Sequence, residues 1–294
     1  MSYATGAVLV VTAAVLWSLL GLAIRSVEEA GTWTLLFWRS VGMAPVLFAF
    51  IAIRSGGRPF ARLRAAGWTG LAGGFGLVFA FAGAIYAIQT TTVANAVFLF
   101  AASPFIAAAL GRVVLGESVR RGTWVAMAVA GLGMAVMVRG GLEAGVMAGN
   151  LAALASAFGF AAFTITLRRG RSNDMMPAVL IGAVLSMIVG LGVQTAAGSG
   201  IGAPPRDVVL AIGMGAVLLA TGMVLYTLGS RVVPAAELTL LTMAEVMLAP
   251  VWVYLALGEA VAPATLAGGA LLLAAIAGNA LSGMRRRPVA PILP

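Results

Sequence analysis

Three ionisable residues fall inside long apolar runs of this chain: Arg39, Glu237 and Glu245. Putting a charge at the centre of a bilayer costs about 2.5–3.5 kcal/mol on insertion scales, so each is a functional candidate by default. Glu245 sits about 11 residues, roughly 16 Å, from the nearer end of its run. It is either a carboxylate that binds a proton or a substrate amine, or a structural glutamate hydrogen-bonded across a helix interface. Glu237, one turn inside the same run, either lines a cavity or snorkels to water. Arg39, about 9 Å deep by the same rise, either grips a substrate carboxylate or pairs with Glu28, Glu29 or Glu245. Asn95 and Ser103 on one run, and Thr242 beside Glu245 on another, supply uncharged polar groups for the same cavity. Among the aromatics, Trp17 and Phe160 either wall an apolar side chain or fill the core. Tyr86 and Tyr226 belong either to an interfacial belt or to a cavity mouth. Trp33, Trp68 and Trp124 fall at run ends, where tryptophan anchors a helix in the interface.

What is missing is as informative. There is no His, Lys or Cys, which removes disulfides, thiolate nucleophiles, imidazole relays, Schiff-base lysines and His/Cys metal sites together. The expectation is no cofactor, no metal and no enzyme. The glycines form no phosphate-binding loop, because no Gly-Lys-Ser/Thr follows them. Of 294 residues 62% are hydrophobic and 9% charged, and mean hydropathy is +1.07. A soluble domain carries roughly 25% charged residues, so a water-soluble globule is excluded. The net charge of +9 points to an anionic membrane surface rather than to nucleic acid.

The elements that must hold these residues are transmembrane helices of about 20 residues each. The charged clusters divide the chain into ten: 4–24, 33–53, 68–88, 93–111, 123–138, 147–167, 176–197, 208–228, 234–257 and 264–283. Runs such as Ala152–Leu167 do not alternate apolar and polar residues, which excludes a β-barrel. The first run has no basic residue before it and no small-residue cleavage site, so it reads as a retained helix and not a signal peptide. If the N-terminus is cytoplasmic, fourteen arginines from Arg54 to Arg287 lie inside, and only Arg25, Arg139 and Arg206 lie outside. That asymmetry sets the orientation, with both termini cytoplasmic. The longest connections, Arg54–Gly67 and Gly198–Asp207, read as tethers. Function must then sit within the bilayer or at its cavity mouths. No span has an obvious central break, although Pro104 and Pro250 loosen a turn.

The chain also repeats itself. Gly116-Glu117 recurs as Gly258-Glu259, 142 residues on, and Val93–Leu99 aligns with Ala235–Leu241 at the same offset. Gly6–Arg25 aligns with Gly149–Arg168 at an offset of 143. Asn95 thereby matches Glu237, Ser103 matches Glu245, and Trp17 matches Phe160. Glu117 and Glu259 read as caps on the fifth and tenth spans. Two five-helix units, 1–143 and 144–294, each with an odd number of spans, must insert upside down relative to each other. The fold class is therefore an all-α integral membrane protein with ten helices in two inverted repeats. Such repeats typify secondary transporters, with the substrate site near the midplane.

With Phe37-Trp38-Arg39 on helix two, Ala101-Ala102-Ser103-Pro104-Phe105 on helix four and the paired Gly-Glu, the chain resembles EamA-type carriers of the drug/metabolite transporter superfamily. Where that family usually has Glu-Pro on helix nine, this chain has Glu245-Val246, with Pro250 a turn later. Within the family it looks most like the YddG-type exporters of aromatic and neutral amino acids. The resemblance implies a bacterial inner-membrane carrier, monomeric, with a small-molecule substrate and the lipid bilayer as its partners. It also implies a cavity lined by helices one, three, four, six, eight and nine. A multidrug or cationic-compound exporter is the alternative in the same class. A membrane scaffold or an intramembrane enzyme is the remote one.

Overall fold

In the computed structural model the described residues are 2–116, 118–119, 121–139, 144–170, 174–230, 232–233 and 235–284, apart from the side chains of 144–145, 235–240, 243, 280 and 282–284. Among them every regular element is a helix: α1 (Tyr3–Arg25), α2 (Thr32–Arg54), α3 (Pro59–Thr90), α4 (Val93–Phe100), α5 (Ser103–Leu115), α6 (Arg121–Arg139), α7 (Ala144–Arg169), α8 (Met176–Ala196), α9 (Pro205–Gly213), α10 (Thr221–Gly229), α11 (Ala235–Leu257) and α12 (Pro263–Met284). A π-helical segment, Met214–Ala220, joins α9 to α10. Lipid offers no hydrogen bonds to the backbone, so apolar runs of this length close their amides internally. Eight continuous stretches are long and apolar enough to cross a membrane, with α4–α5 and α9–α10 each counting as one. In α11 and α12 the apolar described parts are shorter, Ala244–Leu257 and Pro263–Asn279.

Helices cover each of the ten expected runs, but three local features differ from the sequence reading. First, the fourth run is broken. α4 stops at Phe100, Ala101 and Ala102 turn, and α5 restarts at Ser103 with Pro104 in its first turn. Pro104 has no N–H for the carbonyl of Phe100, so the break follows from that proline. Secondly, Arg54–Gly67 is not a tether throughout. Gly56 and Gly57 (φ 61° and 82°) turn the chain, and Pro59–Ala66 is then helical up to Gly67. There a φ of 53° bends α3 where a side chain would be strained. Thirdly, α9 begins at Pro205, so Asp207 belongs to its first turn and not to a loop.

Packing relates the two halves. α2 lies along α8, and α6 along α12. α1 lies between α10 and α11, while α7 lies between α3 and the α4–α5 pair. Gly116 and Gly258, the glycines of the paired Gly-Glu, share one left-handed conformation (φ 69° and 67°). Where α3 crosses α7, Gly76 and Gly159 let the two backbones touch: a Cβ on either would press on the other's carbonyl oxygen, at 2.6–2.8 Å.

Candidate functional site

The two ends of the bundle differ in how they are held. At the end carrying Arg25, the guanidinium Nε donates to Glu259 Oε2 at 2.9 Å, and Nη1 donates to the Ile88 carbonyl at 3.0 Å. The other oxygen of Glu259 accepts from the backbone N–H of Val93 at 2.8 Å. One ion pair thus ties the ends of α1 and α3, the start of α4 and the α11–α12 connection. This corrects the reading of Glu259 as a cap on the tenth span: it caps α4, across the bundle. Its counterpart Glu117 lies outside the described residues. Gln89 adds two links to the α1–α2 connection, accepting from Thr32 Oγ1 at 2.7 Å and donating to the Ala30 carbonyl at 2.9 Å. Asp207, 1% exposed, accepts from the backbone N–H groups of Glu28, Glu29 and Ala30 at 3.2, 2.9 and 2.9 Å. No periodicity in the sequence signals that contact.

At the opposite end, where the N-terminus lies, α5 has α7 as its only substantial neighbour among the described residues. Seven of the eight α4 residues are buried, against three of thirteen in α5.

Between these ends lie the candidate residues. Trp17 on α1 lies against Gly222 of α10, where a Cβ would come within 2.8 Å of its ring. Its Nε1 donates to the Leu219 carbonyl at 3.5 Å, and its ring centroid is 5.6 Å from that of Tyr226 at 42°. Next to it, Ser18 accepts from Trp252 Nε1 on α11 at 2.8 Å and so fixes the register of α1 against α11. Trp252 was not singled out by sequence. Its partner Ser18, beside Trp17, was the available signal. Glu245 is two turns, about 10 Å, from Trp252 toward the N-terminal end. That puts it at about the level of Val11 on α1. The close approaches of Gly222 to Trp17 and of Gly229 to Gly6 put Tyr226 at a similar depth. Glu245 is half-buried and makes no hydrogen bond or ion pair with a described residue. Thr242 is half-buried one turn away. The side chain of Glu237 lies outside the described residues.

The remaining candidates are placed elsewhere. Asn95, 4% exposed, gives its amide N–H to Asn150 Oδ1 on α7, and the Asn95 Oδ1 and Asn150 Nδ2 atoms are left without partners. Ser103 is buried at the α4–α5 break. Phe160 is 37% exposed and packs on Phe163 of its own helix, at 5.8 Å, so it does not form a wall with Trp17. Tyr86 is 41% exposed, on the side of α3 that also carries the exposed Phe75 and Phe79. Arg39 is 3% exposed and stacks over the Phe81 ring at 4.8 Å. Its Nε and Nη2 have no hydrogen-bond partner. Of the two alternatives for Arg39, pairing with Glu28, Glu29 or Glu245 does not form among the described residues, and Glu28 goes to Arg206 instead.

The fold and this arrangement define a multi-pass membrane protein with a few polar groups held in an apolar bundle. Residues 4–139 match the model of the EamA-like transporter family. A solved crystal structure with 20% sequence identity shares the fold at a TM-score of 0.65, covering 98% of this chain and 100% of its own. No curated protein matches the chain.

Proposed function

We propose that the chain is a secondary carrier that exports small amphipathic metabolites, most of all neutral or aromatic amino acids, by alternating access. In this reading it crosses a bacterial inner membrane ten times as a monomer, in two inverted halves, 1–143 and 144–294, with both termini cytoplasmic. The Arg25 end then faces outward and is closed, and the end at α5 opens inward. The two-fold pattern of helix neighbours and the matched conformations of Gly116 and Gly258 support the repeat. Nothing in the sequence binds ATP, so transport follows the gradient of the substrate or of an ion.

The observation that carries the reading is Glu245, a carboxylate without a partner among the described residues, set in an apolar bundle at about the depth of Tyr226, whose ring meets that of Trp17. A charged group so placed is costly unless a ligand or a proton meets it. The two rings offer a face to an apolar or aromatic side chain, and Glu245 offers an acceptor to an amine. Arg39, with two unpartnered donors, is the matching cation for a carboxylate. The test is flux of phenylalanine or methionine into vesicles containing the protein. Uptake above that of empty vesicles is expected, and none in either direction would refute the amino-acid assignment.

The unpartnered carboxylate also favours a second reading, export of organic cations. Glu245→Lys would then abolish flux of a cationic dye while a neutral amino acid is not carried at all.

A further inference from the structure

Away from this site, an apolar groove of about 610 Å³ runs between α2, the start of α3 and α8. Pro45 and Phe48, Phe60 and Leu63, and Leu180 and Val184 form its three sides, and every side chain lining it is apolar. Phe60 closes one end against Phe48, with ring centroids 5.7 Å apart. Phe60 and Leu63 belong to the short helix Pro59–Ala66, bounded by turns at Gly56–Gly57 and at Gly67, with Trp68, 78% exposed, just beyond. A short helix with an apolar face, followed by an exposed tryptophan, marks the bilayer interface.

The same stretch carries Arg54, Arg58, Arg62 and Arg64, all exposed. None of their guanidinium groups makes an ion pair or hydrogen bond with a described residue. The one contact they have is Arg54 over the Phe50 ring, at 5.6 Å. The sequence has no acid at all between Glu29 and Glu117 that could neutralise them. Repeat symmetry does not account for the cluster either. The segment 142 residues on, 196–206, has a single arginine, Arg206, followed at once by Asp207.

We propose that this groove is a binding site for one anionic phospholipid, an acyl chain lying between α2, α3 and α8 and the headgroup phosphate meeting the arginines of 54–64. An apolar slot accepts any acyl chain. The headgroup preference comes from the four unpaired cations, since basic pockets between membrane helices select anionic heads. Arg64 flanks Phe60 on the groove side of the short helix. Arg58 and Arg62 lie on its opposite face, where they reach phosphates at the surface. The site is separate from Glu245 and does not depend on what the protein transports.

Thermal unfolding of the purified full chain in detergent tests it, titrated with phosphatidylglycerol or with phosphatidylethanolamine of the same acyl chains. The expected result is an upward shift of the midpoint with phosphatidylglycerol at concentrations where phosphatidylethanolamine gives less. The apparent affinity for the anionic lipid should fall about fivefold for each arginine removed in Arg58→Gln, Arg62→Gln and Arg64→Gln. These exposed side chains make no contacts that folding needs. Ala44→Trp, which fills the groove, should weaken the response to both lipids. Equal shifts from the two lipids, or an unchanged preference in the triple arginine variant, would overturn the proposal.

Discussion

α4 and α5 are two halves of one apolar run, yet they sit in opposite surroundings. α4 is buried along almost its whole length, and its first amide is capped by Glu259 from the far side of the bundle. α5 has α7 beside it and little else among the described residues, and only three of its thirteen residues are buried. The difference lies less in hydrophobicity than in charge. At the α4 end an arginine and a glutamate, both partly shielded, join four elements through charge-assisted hydrogen bonds, each worth about 1.5–3 kcal/mol. α5 itself, with Arg112 exposed in its last turn, is joined to no other element by such a tie among the described residues. In the carrier proposed above, a bundle tied at the Arg25 end and less enclosed around α5 corresponds to one state of alternating access, with Ala101–Ala102 as the hinge between α4 and α5.

The largest way to break that contrast is to cut the tie. Glu259→Gln removes the ion pair and weakens the cap on Val93, and should raise labelling of the bundle interior from the Arg25 side by about ten- to a hundredfold. Unchanged labelling would mean that apolar packing, as of Gly21 on Val93, keeps that end shut. Next in size is Glu245→Gln, which keeps the shape and removes the charge. Flux of an amine-bearing substrate should fall about tenfold or more at constant protein level, whereas a purely structural glutamine-tolerant role would leave it intact. Gly222→Leu should drive Trp17 off Tyr226 at a cost of about 1–3 kcal/mol, read as a raised KM for aromatic substrates with the Arg25 end still closed. The smallest effect belongs to Trp252→Phe. It deletes the bond to Ser18 and should lower stability by about 1 kcal/mol in thermal unfolding without changing which end is open.

Much of the scaffold was legible in the sequence because lipid imposes simple rules: runs of about 20 apolar residues become helices, and arginines mark their ends. Glu245 and Arg39 stand out for the same reason, as rare charges in apolar runs, and neither has a charged partner among the described residues. The reading stopped where one element reaches another. Glu259 looked like the cap of its own helix because local spacing cannot show that Val93 lies 2.8 Å away. Asp207, Asn150 and Trp252 act only through partners 55 to 234 residues distant in the chain. Pro104 marks a weak point in the sequence, and the break falls there because it leaves the carbonyl of Phe100 without an N–H; which neighbours α5 then meets is a property of packing and not of composition. Tyr86 and Phe160 were chosen for being aromatic. Which side of a helix they occupy follows from glycines such as Gly76 and Gly159, which decide where α3 and α7 touch.

The central claim, that access to the Glu245 level is open at one end and shut by the Arg25–Glu259 tie at the other, has a direct test. The chain contains no cysteine, so Thr242→Cys gives a single thiol one turn from Glu245. A membrane-impermeant thiol reagent can then be applied to oriented vesicles from either side. The account predicts reaction from the N-terminal side only, with reaction from the Arg25 side appearing when Glu259→Gln is added. Equal reaction from both sides in the parent protein, or sidedness unmoved by Glu259→Gln, would contradict it.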